Sequence, residues 1–239
     1  MKISMVGVDV NNISKTDLLI MIADWLKSKS KRHIVTVNPE FIVAANKDDD
    51  FKSILNKADM AVPDGFGLQL FSGFKFKARI AGVDLMVAIC KLAADQNKSI
   101  YLLGGANNVA KNCADKLLQQ IPSLIIAGWQ DGVLSDQVNI QSINDANPDI
   151  IFVAFGQVKQ EKWINQNFAK LRSVKLAMGV GGSFDYLSGT IKRAPKFFRQ
   201  IGLEWLYRLF KQPTRINRIM NAVLVFPYLV IKSHVQSSH

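Results

Sequence analysis

Two short runs decide the fold: residues 149–155, DIIFVAF, and residues 175–180, KLAMGV. Each is nearly continuous in apolar side chains and too short for a helix, the pattern of a strand buried on both faces. Outward from them, β-rich runs alternate with helical periodicity, and strands are expected near 3–8, 33–37, 59–62, 99–103, 124–127, 150–155 and 174–179. Leu18, Leu19, Ile22 and Leu26 share one helical face behind a Ser14 or Thr16 cap, and Val109, Ala110, Cys113, Leu117 and Leu118 share another. Such alternation predicts an α/β fold with a mostly parallel sheet covered by helices on both faces. Ligands of such sheets bind outside the carboxyl ends of the strands, so the loops after strands are where chemistry is sought.

At 239 residues and 49% hydrophobic, the chain suffices for one substantial domain with a small appendage. Cys90 and Cys113 supply no disulfide framework and no metal set; each falls on an apolar helix face, which fits core packing in a reducing cytoplasm. MKISMVGVDV has too little apolar length for a secretory signal and reads as a first strand. The apolar run at 222–231 contains Pro227 and falls short of the roughly 20 residues that span a bilayer.

After Gly189 the alternation gives way to helix after basic helix, which divides the chain into a core, 1–189, and an appendage, 190–239. The appendage carries nine Lys or Arg against one acidic residue, Glu204, a balance of +8 out of the chain's +11. Interleaved Trp205, Tyr207, Phe210, Phe226 and Tyr228 suit an anionic surface that is partly apolar. Ile216, Ile219, Met220, Val223 and Leu224 form a helical stripe, with Pro213 before it and Pro227 expected to end or kink it. That stripe fits a membrane surface, and equally a helix pair packed on its own core or on another subunit. No nucleic-acid motif accompanies the basic charge, so nucleic acid is not the expected partner.

The loops after strands are polar or rich in glycine. TVNPE places Thr36 and Asn38 at a strand end, with Pro39 and Glu40 opening a helix whose N–H groups face an anion or simply take a cap. VPDGFG puts Asp64 where a general base would stand, although Asp-Gly is also ordinary turn chemistry. RIAGVDL supplies Arg79 and Asp84. LLGGANN supplies Gly104 and Gly105, without G-x-G-x-x-G or a Walker lysine. FGQVKQEKW opens a helix with Gln160 and Glu161, and GVGGSFDYLSG adds Gly181 and Gly182 in a turn that ends near Asp185. Asp48, Asp49 and Asp50 read as a solvated helix start, and there is no D-x-D metal pair. His33 at a strand start and His234 and His239 in the tail suit packing or solvent.

In this order, NPE, PDGFG, RIAGVDL, LLGG, QE-K-W, GGSFDYLSG and RAPKFFRQIGLEWLYRL resemble the bacterial WecG/TagA/CpsF glycosyltransferase family, from Thr36 to Leu209. Val158 stands where that family usually has proline, between Gly156 and Gln160. The resemblance implies a Rossmann-like core with a C-terminal helical appendage. It also implies inverting transfer of a hexose, N-acetylmannosamine first, from a UDP-sugar to an undecaprenyl-diphosphate-linked GlcNAc for teichoic acid or another surface polysaccharide. By position it makes Asp64 the catalytic base and lines the donor pocket with Thr36, Asn38, Arg79 and Gln160. Arg208, Arg215 and Arg218 resemble arginines that complete the site at the inner face of the cell membrane. No cofactor is implied, and arginine rather than metal is expected to meet the leaving diphosphate.

Lys192, Arg193, Lys196 and Arg199 are then expected on lipid phosphates. An apolar tail away from membrane is compatible with a homo-oligomer. The alternative from another class is a nucleotide-binding peripheral membrane protein without catalysis, indifferent to Asp64→Asn.

Overall fold

In this computed structural model the described residues are 1–132, 138–200, 202–211 and 213–237, with Gln200, Arg208, Lys211, Arg215, His234, Gln236 and Ser237 described as backbone only. The chain opens on an antiparallel hairpin, β1 (Lys2–Met5) and β2 (Val8–Asn11). The single first strand expected over 3–8 is therefore two. Val6 and Gly7 both take positive φ, +53° and +79°, and reverse the chain in the middle of that run.

The main sheet is parallel and follows α1 (Lys15–Lys27). β3 (Arg32–Val37) leads through α2 (Pro39–Ala45) and α3 (Asp49–Lys57) to β4 (Met60–Pro63). α4 (Phe66–Phe71) and α5 (Gly82–Asp95) cross to β5 (Ser99–Gly104), and α6 (Val109–Gln120) leads to β6 (Ile125–Gln130). α7 (Ile140–Ala146), β7 (Ile150–Ala154), α8 (Lys159–Asn167), β8 (Leu176–Gly179) and α9 (Ser183–Leu187) complete the core. The strand order is β4-β3-β8-β7-β5-β6, so the last two strands fill the gap between the first pair and the second. The carboxyl ends of β3, β4, β7 and β8 thereby meet at a switch point, where a crevice opens in sheets of this kind.

Both faces of the sheet are covered, which is why β7 and β8 carry no polar alternation. Ile150 and Phe152 pack with Leu18, Ile22, Ile89 and Cys113 on one side, while Ile151 and Val153 pack with Trp163 and Ile164 of α8 on the other. Cys90 and Cys113 are buried free thiols in the first of these layers. Asp48 caps α3 by accepting the Phe51 N–H and pairs with Lys162, as a helix start should.

The appendage continues as α10 (Lys196–Gln200), α11 (Glu204–Lys211), α12 (Ile216–Met220), a π-helical turn over Asn221–Val225, and α13 (Phe226–Ser237). Pro227 does not end this helix. The wider π turn just before it makes room for a residue that lacks an N–H and would clash in a regular α turn. The apolar stripe read from the sequence divides between two faces. Ile219, Phe226 and Val230 are buried, the last two in a cluster with Phe41, Leu68 and Phe76, while Ile216, Met220, Leu224, Tyr228, Ile231 and Val235 are exposed. Among the described residues no helix is long and apolar enough to cross a membrane.

Candidate active site

Asp64 follows β4 directly. Its N–H donates to Val37 O at 2.7 Å, which ties its loop to the end of β3, and its Oδ2 accepts the Gly82 N–H at 3.2 Å. Gly82 opens α5, and a Cβ there would come within 3.4 Å of Thr36 Oγ1 and 3.5 Å of Asp64 Oδ2. The buried Thr36 hydroxyl, the Asp64 carboxylate and the start of α5 thus converge around Gly82. Burial pushes the Asp64 pKa up to about 6, opposed by the Gly82 N–H, with Glu204 adding to the rise and Arg79 and Arg193 pulling against it. Arg79 is thus near enough for its charge to act on Asp64. Asn38 caps α2, its Oδ1 accepting the Phe41 N–H at 3.0 Å, so the cap function is real and leaves the amide nitrogen for other work.

Gln160 and Glu161 lie in the first turn of α8, which follows β7, both buried. Gln160 Nε2 donates to Glu161 Oε1 at 2.9 Å, and Gln160 Oε1 accepts the Gly181 N–H at 2.9 Å, which joins the loop after β7 to the glycine turn after β8. Gly179 makes this possible: a Cβ there would overlap Glu161 Oε1 and lie 2.6 Å from Gln160 Nε2. Burial raises the Glu161 pKa to about 7 despite the Gln160 amide and nearby backbone N–H groups, and its Oε2 is buried with no hydrogen-bond partner among the described residues. The preceding turn is tight. Val158 sits at φ +69°, ψ −53°, and Lys159 N–H donates to Gln157 O at 2.9 Å, a γ-turn of positive φ. Proline, whose φ is fixed near −65°, cannot take that conformation.

The appendage is folded onto these loops. Gly202 packs on Phe66, where a Cβ would overlap the ring, and Phe226 stacks edge-on against Phe71 at 5.5 Å. Arg218 Nε and Nη2 each lie 2.7 Å from Glu40 Oε2, and Nη2 donates to Gln157 Oε1 at 3.0 Å. The side chains of Arg208 and Arg215 lie outside the described residues, as does His239. Arg193 departs from the expected lipid-facing role. It donates from Nη1 and Nη2 to both oxygens of Asp84, at 2.5 and 2.9 Å, with Glu204 Oε1 3.8 Å from its Nε. A bidentate pair beside a second carboxylate holds the guanidinium inward, and the Asp84 pKa is lowered, first by that hydrogen bonding. Asp84 lies 109 residues from Arg193 along the chain, so no local signal in the sequence joins them.

Gly104 and Gly105 come at the end of β5, four positions along the sheet from β4, and Asp185 lies in α9. Gly104 has φ +108°, and a Cβ would lie 2.8 Å from the Ala154 carbonyl carbon, so its bareness serves strand packing. The start of α6 is already met by a carboxylate, because Asp131 accepts the N–H groups of Asn108 and Ala110 at 2.6 and 3.0 Å. The charge of Asp185 is felt by Cys113 of α6. Among the described residues no group of three or more His, Cys, Asp or Glu side chains is arranged to hold a metal ion.

A parallel sheet covered on both faces, with a raised-pKa carboxylate held near arginines in the loops after its strands, is an arrangement suited to group transfer. The family model described as glycosyl transferase WecG/TagA/CpsF matches residues 3–239, and the chain belongs to that family. Among relatives, the N-acetylglucosaminyldiphosphoundecaprenol N-acetyl-beta-D-mannosaminyltransferase of Bacillus subtilis (strain 168) is 38% identical over 201 residues, covering 82% of this chain and 78% of its own. Proteins with the same name from Bacillus spizizenii and Staphylococcus aureus (strain MRSA252) are 35% and 32% identical, the latter over 97% of this chain and 93% of its own. All three names describe transferases, which does not support the reading of a nucleotide-binding protein without catalysis.

Proposed function

We propose that this protein transfers N-acetylmannosamine from UDP-N-acetylmannosamine to the GlcNAc of an undecaprenyl-diphosphate-linked acceptor, with inversion at the anomeric carbon. The observation that carries the mechanism is Asp64, a half-buried carboxylate at the end of β4 with its pKa raised to about 6 by burial. At neutral pH it is mostly ionised and yet basic enough to take a proton. As the acceptor oxygen attacks the anomeric carbon, its hydroxyl proton passes to Asp64. The new C–O bond forms as the bond to the diphosphate oxygen breaks, and UDP departs with the electron pair from the opposite face.

Thr36, Asn38, Arg79, Gln160, Gly181 and Gly182 are the residues we assign to the donor pocket. Arg79 and Arg218, with Arg208 and Arg215 from the same appendage, are assigned to the charge that develops on the leaving diphosphate. Because a polyprenyl acceptor resides in the bilayer, we place the protein on the inner face of the cell membrane. Its exposed Met220, Leu224, Tyr228 and Ile231 would enter the interface, and the appendage cations would attract anionic lipid. Self-association through the same face is the competing use of those side chains.

The donor assignment is tested by a panel of UDP-sugars with synthetic lipid-diphosphate-linked GlcNAc and by the anomeric configuration of the product. A β-linked N-acetylmannosamine product from the α-linked donor supports the reading. A retained configuration overturns the single displacement, and turnover of only a different UDP-sugar overturns the donor.

A further inference from the structure

Glu40 read from the sequence only as part of a helix start. In the structure it receives the appendage. It occupies the first turn of α2, and its Oε2 accepts from Nε of Arg218, 178 residues further along the chain, with Nη2 also 2.7 Å away in the ion pair. The other acceptor is Gln157 Oε1, in the residue before the Val158 γ-turn. One guanidinium therefore joins the start of α2, just after Thr36 and Asn38, to the loop after β7, just before Gln160. Two of its five N–H bonds are engaged by these hydrogen bonds, and Nη1 has no hydrogen bond among the described residues. A planar fork gripped along one edge presents the remaining edge in a fixed direction, which a lysine in its place would not do.

We propose that Glu40 and Gln157 form a socket that positions Arg218 for the donor diphosphate, so that Glu40 is a positioning residue that acts through Arg218. This rests on the transferase reading above. Three features support it. The side chains of Glu40 and Arg218 are only partly exposed, at 20% and 42%, so water competes incompletely for the pair. Phe226 and Val230, in the next helix, are buried in the core beside α2, which holds the arginine's own backbone near the socket. The socket also draws on both loops that flank Gly181 and Asp64, so an arginine set there before the donor arrives need not be ordered at the transition state.

The experiment is a double-mutant cycle in the full-length protein, Glu40→Gln against Arg218→Ala. Turnover and donor KM are measured with UDP-N-acetylmannosamine, and amide hydrogen exchange is followed over 216–230. Arg218→Ala is expected to lower kcat by about 10²-fold. Glu40→Gln is expected to lower it by about 10-fold, with donor KM changed by less than about 3-fold. The double variant should match Arg218→Ala alone, because a residue that acts through Arg218 has nothing left to position. Exchange over 216–230 should quicken equally in all three variants, while Asp64→Asn, which removes the base without touching the socket, should retain the wild-type pattern. Losses that multiply in the double variant, or exchange unaltered by Glu40→Gln, overturn the socket. If the wild type transfers no sugar from any donor, the transferase reading fails, and the exchange cycle alone then decides whether Glu40 holds Arg218.

Discussion

Asp64 Oδ2 accepts the backbone N–H of Gly82 at 3.2 Å, the one donor among the described residues to a carboxylate that burial pushes toward its neutral form. The proton balance follows from that. The unfolded carboxyl titrates near 3.8 and the folded one near 6, so between those values the folded state binds more protons and stability falls as pH rises. Above about pH 6 the ionised group costs the fold roughly 1–3 kcal/mol. Asp64→Asn should therefore raise the melting temperature at pH 8 and do little at pH 4, while turnover drops by about 10²-fold or more. In the wild type, kcat/KM should fall as pH decreases through about 6. Thermal melts and a pH–rate profile on the two proteins check this; a less stable Asn variant at pH 8 would contradict it.

Glu161 and Gly179 give a second prediction. Gly179→Ala drives a methyl group into Glu161 Oε1 and Gln160 Nε2, and overpacking of this kind costs about 1–3 kcal/mol. The expected result is a lower melting temperature together with weaker donor binding, since Gln160 loses its orientation. Calorimetric titration with the donor reads the second effect; unchanged affinity would detach Gln160 from the pocket. With its pKa raised to about 7, Glu161 also makes stability fall as pH rises toward neutrality, and Glu161→Gln should flatten that dependence.

Val158 is a β-branched residue at φ +69°. At positive φ, glycine is favoured over alanine by roughly 1 kcal/mol, the reverse of their order elsewhere. Val158→Gly should thus be more stable than Val158→Ala, and Val158→Pro should be the least stable of the three. Urea unfolding of the set checks this; alanine above glycine would rule out the γ-turn.

The exposed stripe of the appendage predicts membrane affinity separable from folding. Leu224→Glu with Tyr228→Glu removes two exposed apolar side chains, worth about 1.5–3 kcal/mol each if buried in an interface. Binding to vesicles that contain phosphatidylglycerol should weaken by about 10²-fold or more, with the melting temperature nearly unchanged. Equal binding by the variant would move the membrane contact elsewhere.

What could be read in the sequence follows from the range of the interactions involved. The parallel sheet was legible because strands buried on both faces leave unbroken apolar runs, as at 150–154. That Asp64 and Gln160 come just after strands was legible, because each follows an apolar run closely in the sequence. The N-terminal hairpin was not, because the Val6–Gly7 turn interrupts an apolar run with only one glycine as its signal. The appendage was misread in part for another reason. Basic charge and apolar spacing do not say which cations turn inward, and the partners that decide it, Asp84 for Arg193 and Glu40 for Arg218, lie 109 and 178 residues away. Two apolar faces of one helix likewise merge into one stripe until Ile219 and Phe226 are seen buried and Leu224 exposed.

The most direct test of the account is sugar transfer from UDP-N-acetylmannosamine to lipid-diphosphate-linked GlcNAc by the intact protein, by Asp64→Asn, and by a chain truncated after Gly189. The account predicts β-linked product from the intact protein and at least about a 10²-fold loss in each altered form, with the Asn variant still folded. Wild-type rates from a folded Asp64→Asn protein would contradict the central claim that Asp64 is the base.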